Sequence, residues 1–445
     1  MAFPPMYDSR RMSVRAGLAP ARSELPAYSQ QRPLRRATLG APLQPPREPT
    51  AHSFQLLTSA GQPWAALRLY SHAKSSKSLP SFHEKEKLNG SVDLSLDRGD
   101  SVSAICVRVL GRVFTDGGCN AFLNMTVPLF GKDVSSENRS PTPVELIGRH
   151  SFPFAIVLPR TLDIESKSGV VRTCPLPETF LERHLSVSVQ YDLQVSISRG
   201  KLKTDTSIQT TFCYTPSSRP DPASRQRQYS YDRNLPLVGP EQDPEGWFTC
   251  DPIRARGKVA KTKADVSCLL SLAKPMCYTR GSPIPLTLSL YCENTAALNA
   301  IDVPGQIQVS LNRRVKYTKR SGSKEKEVIE KVGTASWWTK GSDNSGTTRV
   351  YDGEIKLAKD MRSSSDVGQL SVSYFVALHP FECLGMKAKG DPLAIVPVSI
   401  ATTHAKGPRP ISYAPPVYDG PVKDESRHDF YMPYLAGGNG FSVPI

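Results

Sequence analysis

The sequence predicts an all-β protein built as two β-sandwich domains, and three observations carry that expectation. The first is a long alternation. Leu185, Val187, Val189, Tyr191, Leu193, Val195 and Ile197 occupy every second position, with Ser186, Ser188, Gln190, Asp192, Gln194, Ser196 and Ser198 between them. A period of two over this length sets one face of an extended strand on a core and the other toward water. The second is that similar short runs recur every ~8–15 residues between Gly, Pro, Asn or Asp turns, with no convincing helical period. The third is size. A chain of 445 residues allows two or three domains, and 39% hydrophobic residues are ample for cores of ordinary size.

Taken in order, residues 1–52 read as a disordered basic arm. The first 50 residues hold nine prolines and eight arginines and almost no apolar periodicity, so nothing offsets the entropy of ordering them. The first domain is expected at 53–216, with strands at 54–56, 66–70, 88–96 and 102–109. Three Pro-punctuated anchors follow, each starting or breaking a short strand: Gly148-Arg-His150-Ser-Phe152-Pro-Phe154, Leu158-Pro159 and Leu176-Pro177-Glu-Thr-Phe180. The long strand comes next, and Phe212-Cys-Tyr214-Thr-Pro216 closes the domain. Residues 217–246 are polar and Pro-marked and read as a flexible linker. A second domain is expected at 247–403, with strands at 266–272, 285–290, 307–311, 370–378 and 395–400 and long inserts at 302–306 and 313–345. The tail, 404–445, is rich in Pro and Gly and reads as disordered.

Lys and Arg number 56 against 41 Asp and Glu, a formal net charge of +15, which draws the chain to acidic partners: phosphorylated tails, anionic lipid or nucleic acid. Nucleic-acid binding would call for aromatics interleaved on a basic face, and this sequence does not show them. Nine cysteines are an odd number without C-x-x-C or paired Cys/His spacing, so they read as reduced, mostly strand-buried thiols of a cytosolic protein. No metal or cofactor is expected. The start lacks an apolar signal region, and no apolar run approaches the ~18 residues of a membrane span. Sequons at Asn89, Asn124 and Asn138 matter only in a secreted chain and are taken as chance. Catalytic loops and elbows are missing from the sequence: it contains no G-x-S-x-G, G-x-x-x-x-G-K-[ST] or H-E-x-x-H. His150, beside Phe152-Pro-Phe154, reads as a strand-face histidine satisfied by backbone rather than a base or ligand. The expectation is a binding protein, not an enzyme.

Two tetrapeptides carry the sharpest signal. Pro4-Pro5-Met-Tyr7 and Pro415-Pro416-Val-Tyr418, each followed by Asp, lie in the two arms. Adjacent prolines pre-set polyproline II, and a tyrosine two residues on can enter the aromatic pocket of a WW domain. Composition alone yields roughly 0.1 such tetrapeptides per chain, so a pair of them exceeds chance. Arg10-Arg-Met-Ser13 and Arg35-Arg-Ala-Thr38 suit a basophilic kinase, because paired guanidinium groups match an acidic substrate groove. Once phosphorylated, Ser13 or Thr38 would offer a phosphoserine-binding protein a docking site. The run Arg313, Arg314, Lys316, Lys319, Arg320 is a candidate contact for phosphorylated cargo or anionic lipid, its bland alternative being a solvated hairpin tip.

The anchored stretches resemble an arrestin N-terminal domain. Gly90-x-Val92-x-Leu94-x-Leu96 and Ile105-x-Val107-x-Val109-x-Gly111 look like its first half, and the anchors and long strand of 148–200 look like its second. Gly281-x-Pro283-Ile-Pro285-Leu286-x-Leu288-x-Leu290 ahead of Ile307-x-Val309-x-Leu311 is similar to the opening of an arrestin C-domain, so the resemblance covers roughly 53–403. With P-P-x-Y motifs added, the chain resembles the arrestin-related trafficking adaptors, or α-arrestins. That resemblance implies two arrestin-like sandwiches and a role linking a WW-containing HECT ubiquitin ligase to cytosolic segments of membrane proteins. It also implies a cytoplasmic protein peripheral to plasma membrane or endosomes. The alternative is a β-sandwich protein associated with nucleic acid or anionic lipid through its charge.

Overall fold

Where apolar residues alternate, the chain is extended. The computed structural model describes residues 48–116, 118–131, 143–165, 171–199, 204–259, 262–301, 308–318, 325–342, 346–380 and 392–415. The first lobe comprises β1 (Thr50–Leu57), β2 (Pro63–Ser71), β3 (Ser81–His83), β4 (Lys87–Thr115), β5 (Gly118–Phe130), β6 (Val144–Val157), β7 (Thr161–Glu165), β8 (Val171–Pro175), β9 (Phe180–Leu181), β10 (Val187–Arg199) and β11 (Thr206–Thr215). A helix α1 (Arg225–Arg233) leads to the second lobe: β12 (Trp247–Thr249), β13 (Ile253–Val259), β14 (Thr262–Ala273), β15 (Cys277–Thr279), β16 (Pro283–Tyr291), α2 (Thr295–Ile301), β17 (Val309–Thr318), β18 (Glu325–Ser342), β19 (Thr348–Lys356), β20 (Ser365–Asp366), β21 (Leu370–Leu378) and β22 (Ala394–Ala401). Among the described residues the strands form one nine-stranded sheet, one eleven-stranded sheet and the small β7–β8 pair. Each large sheet curls on itself, as in two β-sandwich domains. No helix among the described residues is long and apolar enough to cross a membrane.

One long strand curls each sheet. The first part of β4 pairs with β2 and β6, and its later part with β10 and β5. The change of partners falls where the β4–β6 register slips between Leu96 and Asp100, and Gly99 there has φ +72°, a conformation that side chains rarely adopt. In the second lobe β18 pairs with β17 up to Thr334 and with β19 from Ala335. Gly353 on β19 lets it pass, since a Cβ there would overlap the Trp337 ring. Of the stretch 313–345, read as an insert, residues 313–318 thus form the later part of β17 and residues 325–342 all of β18, both interior strands of the sheet.

The predicted alternation of β10 is present, with Val187, Val189, Tyr191, Leu193, Val195 and Ile197 all buried. Tyr191 packs its ring within 5.3–5.6 Å of Phe122, Phe212 and Tyr214, and its hydroxyl donates to the Pro177 carbonyl at 2.7 Å. Its neighbour Asp192 departs from the expected pattern and is only 2% exposed. The strand lies between β4 and β11, so Asp192 is closed over by the Arg112 guanidinium and by Thr211 Oγ1 at 2.8 Å.

Residues 217–246, expected to be a flexible linker, are ordered. Ser224 caps α1 by accepting from the Arg227 amide, and Asn234 ends it in the left-handed conformation. Arg227 is buried, donates to the carbonyls of Lys274 and Gly246 at 2.6 Å each, and lies over the Trp247 ring. A helix held by a buried arginine has no apolar stripe to announce it. Arg227→Ala should therefore cost about 2–4 kcal/mol in urea unfolding, since the buried Gly246 carbonyl and the part-buried Lys274 carbonyl lose charged donors. Arg227→Lys should fall between, because one ammonium cannot reproduce the planar fork and the ring stack. Equal midpoints for all three would show the helix to be a passive link.

Residues 404–415 of the tail also dock where disorder was expected. Tyr413 stacks on Tyr231 of α1 with ring centroids 6.5 Å apart, and its amide donates to Glu354 of β19 at 3.0 Å.

Candidate functional site

The densest cluster of charge lies where the lobes meet, and the corner before β10 builds one side of it. The Tyr191 hydroxyl holds the Pro177 carbonyl, and Thr179 exchanges two hydrogen bonds with the Tyr214 backbone, its amide to the carbonyl at 3.0 Å and its hydroxyl from the amide at 2.8 Å. Glu178 and Glu182 are thereby fixed facing the second lobe. Glu178 accepts from Arg280 at 2.9 Å and from both the amide and hydroxyl of Ser363 at 2.9 Å. Glu182 takes a bidentate pair from Arg313 at 2.6 and 2.7 Å. Arg313 Nη2 also reaches Glu330 of β18 at 2.6 Å, and His184 Nε2 lies 2.8 Å from the other oxygen of Glu330 and 3.5 Å from Glu182. Arg362 completes the ring, 3.8 Å from Glu178 and 4.0 Å from Glu182. A cleft of about 580 Å³ opens beside these groups, lined further by Lys359, Asp360 and Tyr374.

Burial alone would lower the Arg313 pKa, but its hydrogen bonds and charge contacts with Glu182 and Glu330 hold it above its ordinary value. For Glu330 burial acts upward, and the hydrogen bonds and charges of Arg313 and His184 outweigh it, so its carboxyl sits below the ordinary range. A depressed carboxylate stabilises the fold above its unfolded pKa near ~4.3 and loses that contribution as pH falls through the folded value. Glu330→Gln should flatten the loss of unfolding free energy between about pH 5 and pH 3. Matching slopes for the two proteins would remove Glu330 from the acid response.

The three described residues of the basic run, Arg313, Arg314 and Lys316, all face acidic partners. Arg313 points inward, its charge committed to Glu182 and Glu330, and so does not reach the surface as a cargo or lipid contact would require. Arg314 pairs with Glu327 at 2.8 Å and lies over the Phe375 ring, while Lys316 lies 3.6 Å from Glu325 and 3.8 Å from Glu327. Lys319 and Arg320 lie outside the described residues, as do Pro4, Pro5, Tyr7, Ser13, Thr38, Pro416 and Tyr418. Pro415 is described and exposed. His150 places Nε2 3.0 Å from the Ile147 carbonyl and stacks on Phe152. Among the described residues Cys174, Cys213, Cys268 and Cys292 are buried, and no His, Cys, Asp and Glu side chains group as a metal site would.

Glu178, Glu182, Arg280, Arg313 and Arg362 together form a site that no motif announced. The available signal was charge set among apolar anchors, since Glu178 and Glu182 bracket Phe180-Leu181. Fold and site define a two-lobed all-β protein whose lobes are joined by an internal ion network. No protein-family model matches the chain, and no curated protein matches it.

Proposed function

We propose that the chain is an adaptor of the arrestin-related trafficking class, linking a WW-containing HECT ubiquitin ligase to membrane cargo. The observation that carries this reading is the pair of P-P-x-Y-D motifs at 4–8 and 415–419, one toward each end of a two-lobed β body. Its support from geometry is that Pro415, the first proline of the second motif, is exposed two residues past the Tyr413 contact with the second lobe. In this reading the body recognises cytosolic segments of a transporter or receptor at the plasma membrane or endosome. The motifs hold the ligase beside it, and ubiquitin transfer is accelerated by proximity, the ligase supplying the chemistry. Anionic lipid and, after phosphorylation of Ser13 or Thr38, a phosphoserine reader are accessory partners. Capture of the ligase by the wild-type chain and by Tyr7→Ala/Tyr418→Ala tests the reading, as argued in the Discussion.

A further inference from the structure

Residues 405–410 run from the second sheet across α1. Ala405, Lys406, Pro408 and Pro410 close a small apolar hollow with Arg227 and Tyr231. The strap is pinned at its end by one acidic group. Glu354 is 4% exposed, yet one carboxylate oxygen accepts from the Ser412 hydroxyl and the other from the Tyr413 amide at 3.0 Å. The Tyr413 ring adds its stack on Tyr231. Ser412 itself is exposed, and so is Arg409, three residues before it.

The geometry points to Ser412 as a phosphorylation site whose modification undocks this strap from the second lobe. The inference rests on the adaptor reading only for its consequence at the P-P-x-Y motif. The exposed Arg409 offers a basophilic kinase the cation that its acidic groove selects. In the transfer, Ser412 Oγ attacks the γ-phosphorus of ATP, the bond to the bridging oxygen of ADP breaks, and the hydroxyl proton passes to the kinase's base. The product carries nearly two negative charges where a neutral donor stood, directly against the Glu354 carboxylate. Glu354 loses one hydrogen bond and gains a like charge at contact distance, so the docked state is disfavoured. The kinase needs only the undocked minority, and the phosphate then holds the population there.

Undocking changes access to the motif that follows. Pro415 is two residues beyond Tyr413, so covalent reach keeps it within ~7 Å of that anchor while the strap is docked. A domain of even ~35 residues has a radius of gyration of about 8–9 Å. Closing one around a proline so near the second lobe sets the partner's surface against β19 and α1, and release of the strap removes that obstacle.

The test is the full chain with phosphoserine installed at 412, measured before and after phosphatase treatment. Amide exchange at Tyr413 and across 405–411 is expected to be about ten- to hundredfold faster in the phosphorylated protein and to return with dephosphorylation, because a hydrogen bond to a charged acceptor has been lost. Glu354→Gln removes the opposing charge, so its exchange should respond less to phosphorylation. Unchanged exchange on phosphorylation of the wild-type chain would overturn the proposal, as would an equal acceleration in Glu354→Gln. Titration with a single WW domain of a HECT ligase, on the same samples, should show several-fold tighter binding to the phosphorylated form. Equal affinity with accelerated exchange would refute the gating of the motif. A WW domain that binds neither form would sink the adaptor reading, while exchange alone still decides the release of the strap.

Discussion

Arg313→Ala is expected to destabilise the chain by about 3–5 kcal/mol, the largest single-residue effect on stability at this site. Arg313 holds both Glu182 of the first lobe and Glu330 of the second, and Glu182 is buried beside it. Removing the guanidinium leaves a buried carboxylate without its bidentate partner, and only the more distant His184 at 3.5 Å and Arg362 at 4.0 Å then offset the desolvation cost of that charge. Glu182→Gln should cost less, because a neutral amide still accepts a hydrogen bond and carries no charge to strand. Since the pair spans the lobes, Arg313→Ala should also broaden or split the urea transition, the sandwiches unfolding as partly separate units. A single transition shifted by under ~1 kcal/mol would show that the lobes are held by apolar contact and that the ion network adds little.

Tyr7→Ala/Tyr418→Ala is expected to abolish ligase recruitment while the β body melts as before. Each motif offers one tyrosine and two prolines to a WW domain, for an affinity on the order of tens of micromolar, about 6–7 kcal/mol. A ligase with several WW domains can engage both motifs, and the second contact then forms at an effective concentration on the order of 0.1–1 mM. Tyr418→Ala should therefore weaken recruitment several-fold or more and Tyr7→Ala less, with loss only in the double variant. Binding of the ligase and ubiquitination of cargo measured side by side decide the matter. Full recruitment by the double variant would remove the mechanism and leave only the fold.

Strand β10 is legible in the sequence because burial on one face demands a period of two, and every apolar residue in it obeys that period; in β21 Leu370, Val372, Tyr374, Val376 and Leu378 obey it while Phe375 and Ala377 are buried on the other face. Helix α1 is not legible, since its sequence Arg-Gln-Arg-Gln-Tyr-Ser-Tyr-Asp-Arg has no apolar stripe and its buried anchor is an arginine. The docked end of the tail escapes for a related reason. Tyr413 and Ser412 sit in Pro-rich sequence with no period at all, and only distant groups make them an anchor, Glu354 lying 59 residues from Tyr413 and Tyr231 still further along the chain. The P-P-x-Y motifs stand at the opposite extreme: a short peptide carries its recognition chemistry in adjacent residues and is read directly from the chain.

Local pattern, then, was sufficient for the β class, the long central strand and the candidate WW ligands, because each depends on neighbours within a few residues. The ion network that joins the lobes was decided only by packing. Arg313 and Glu182 are 131 residues apart in sequence and Arg280 and Glu178 are 102 apart. Coulomb attraction and hydrogen bonding act over a few ångströms in space and carry no period along a chain, so which charges meet is known only once both sheets have curled and come together.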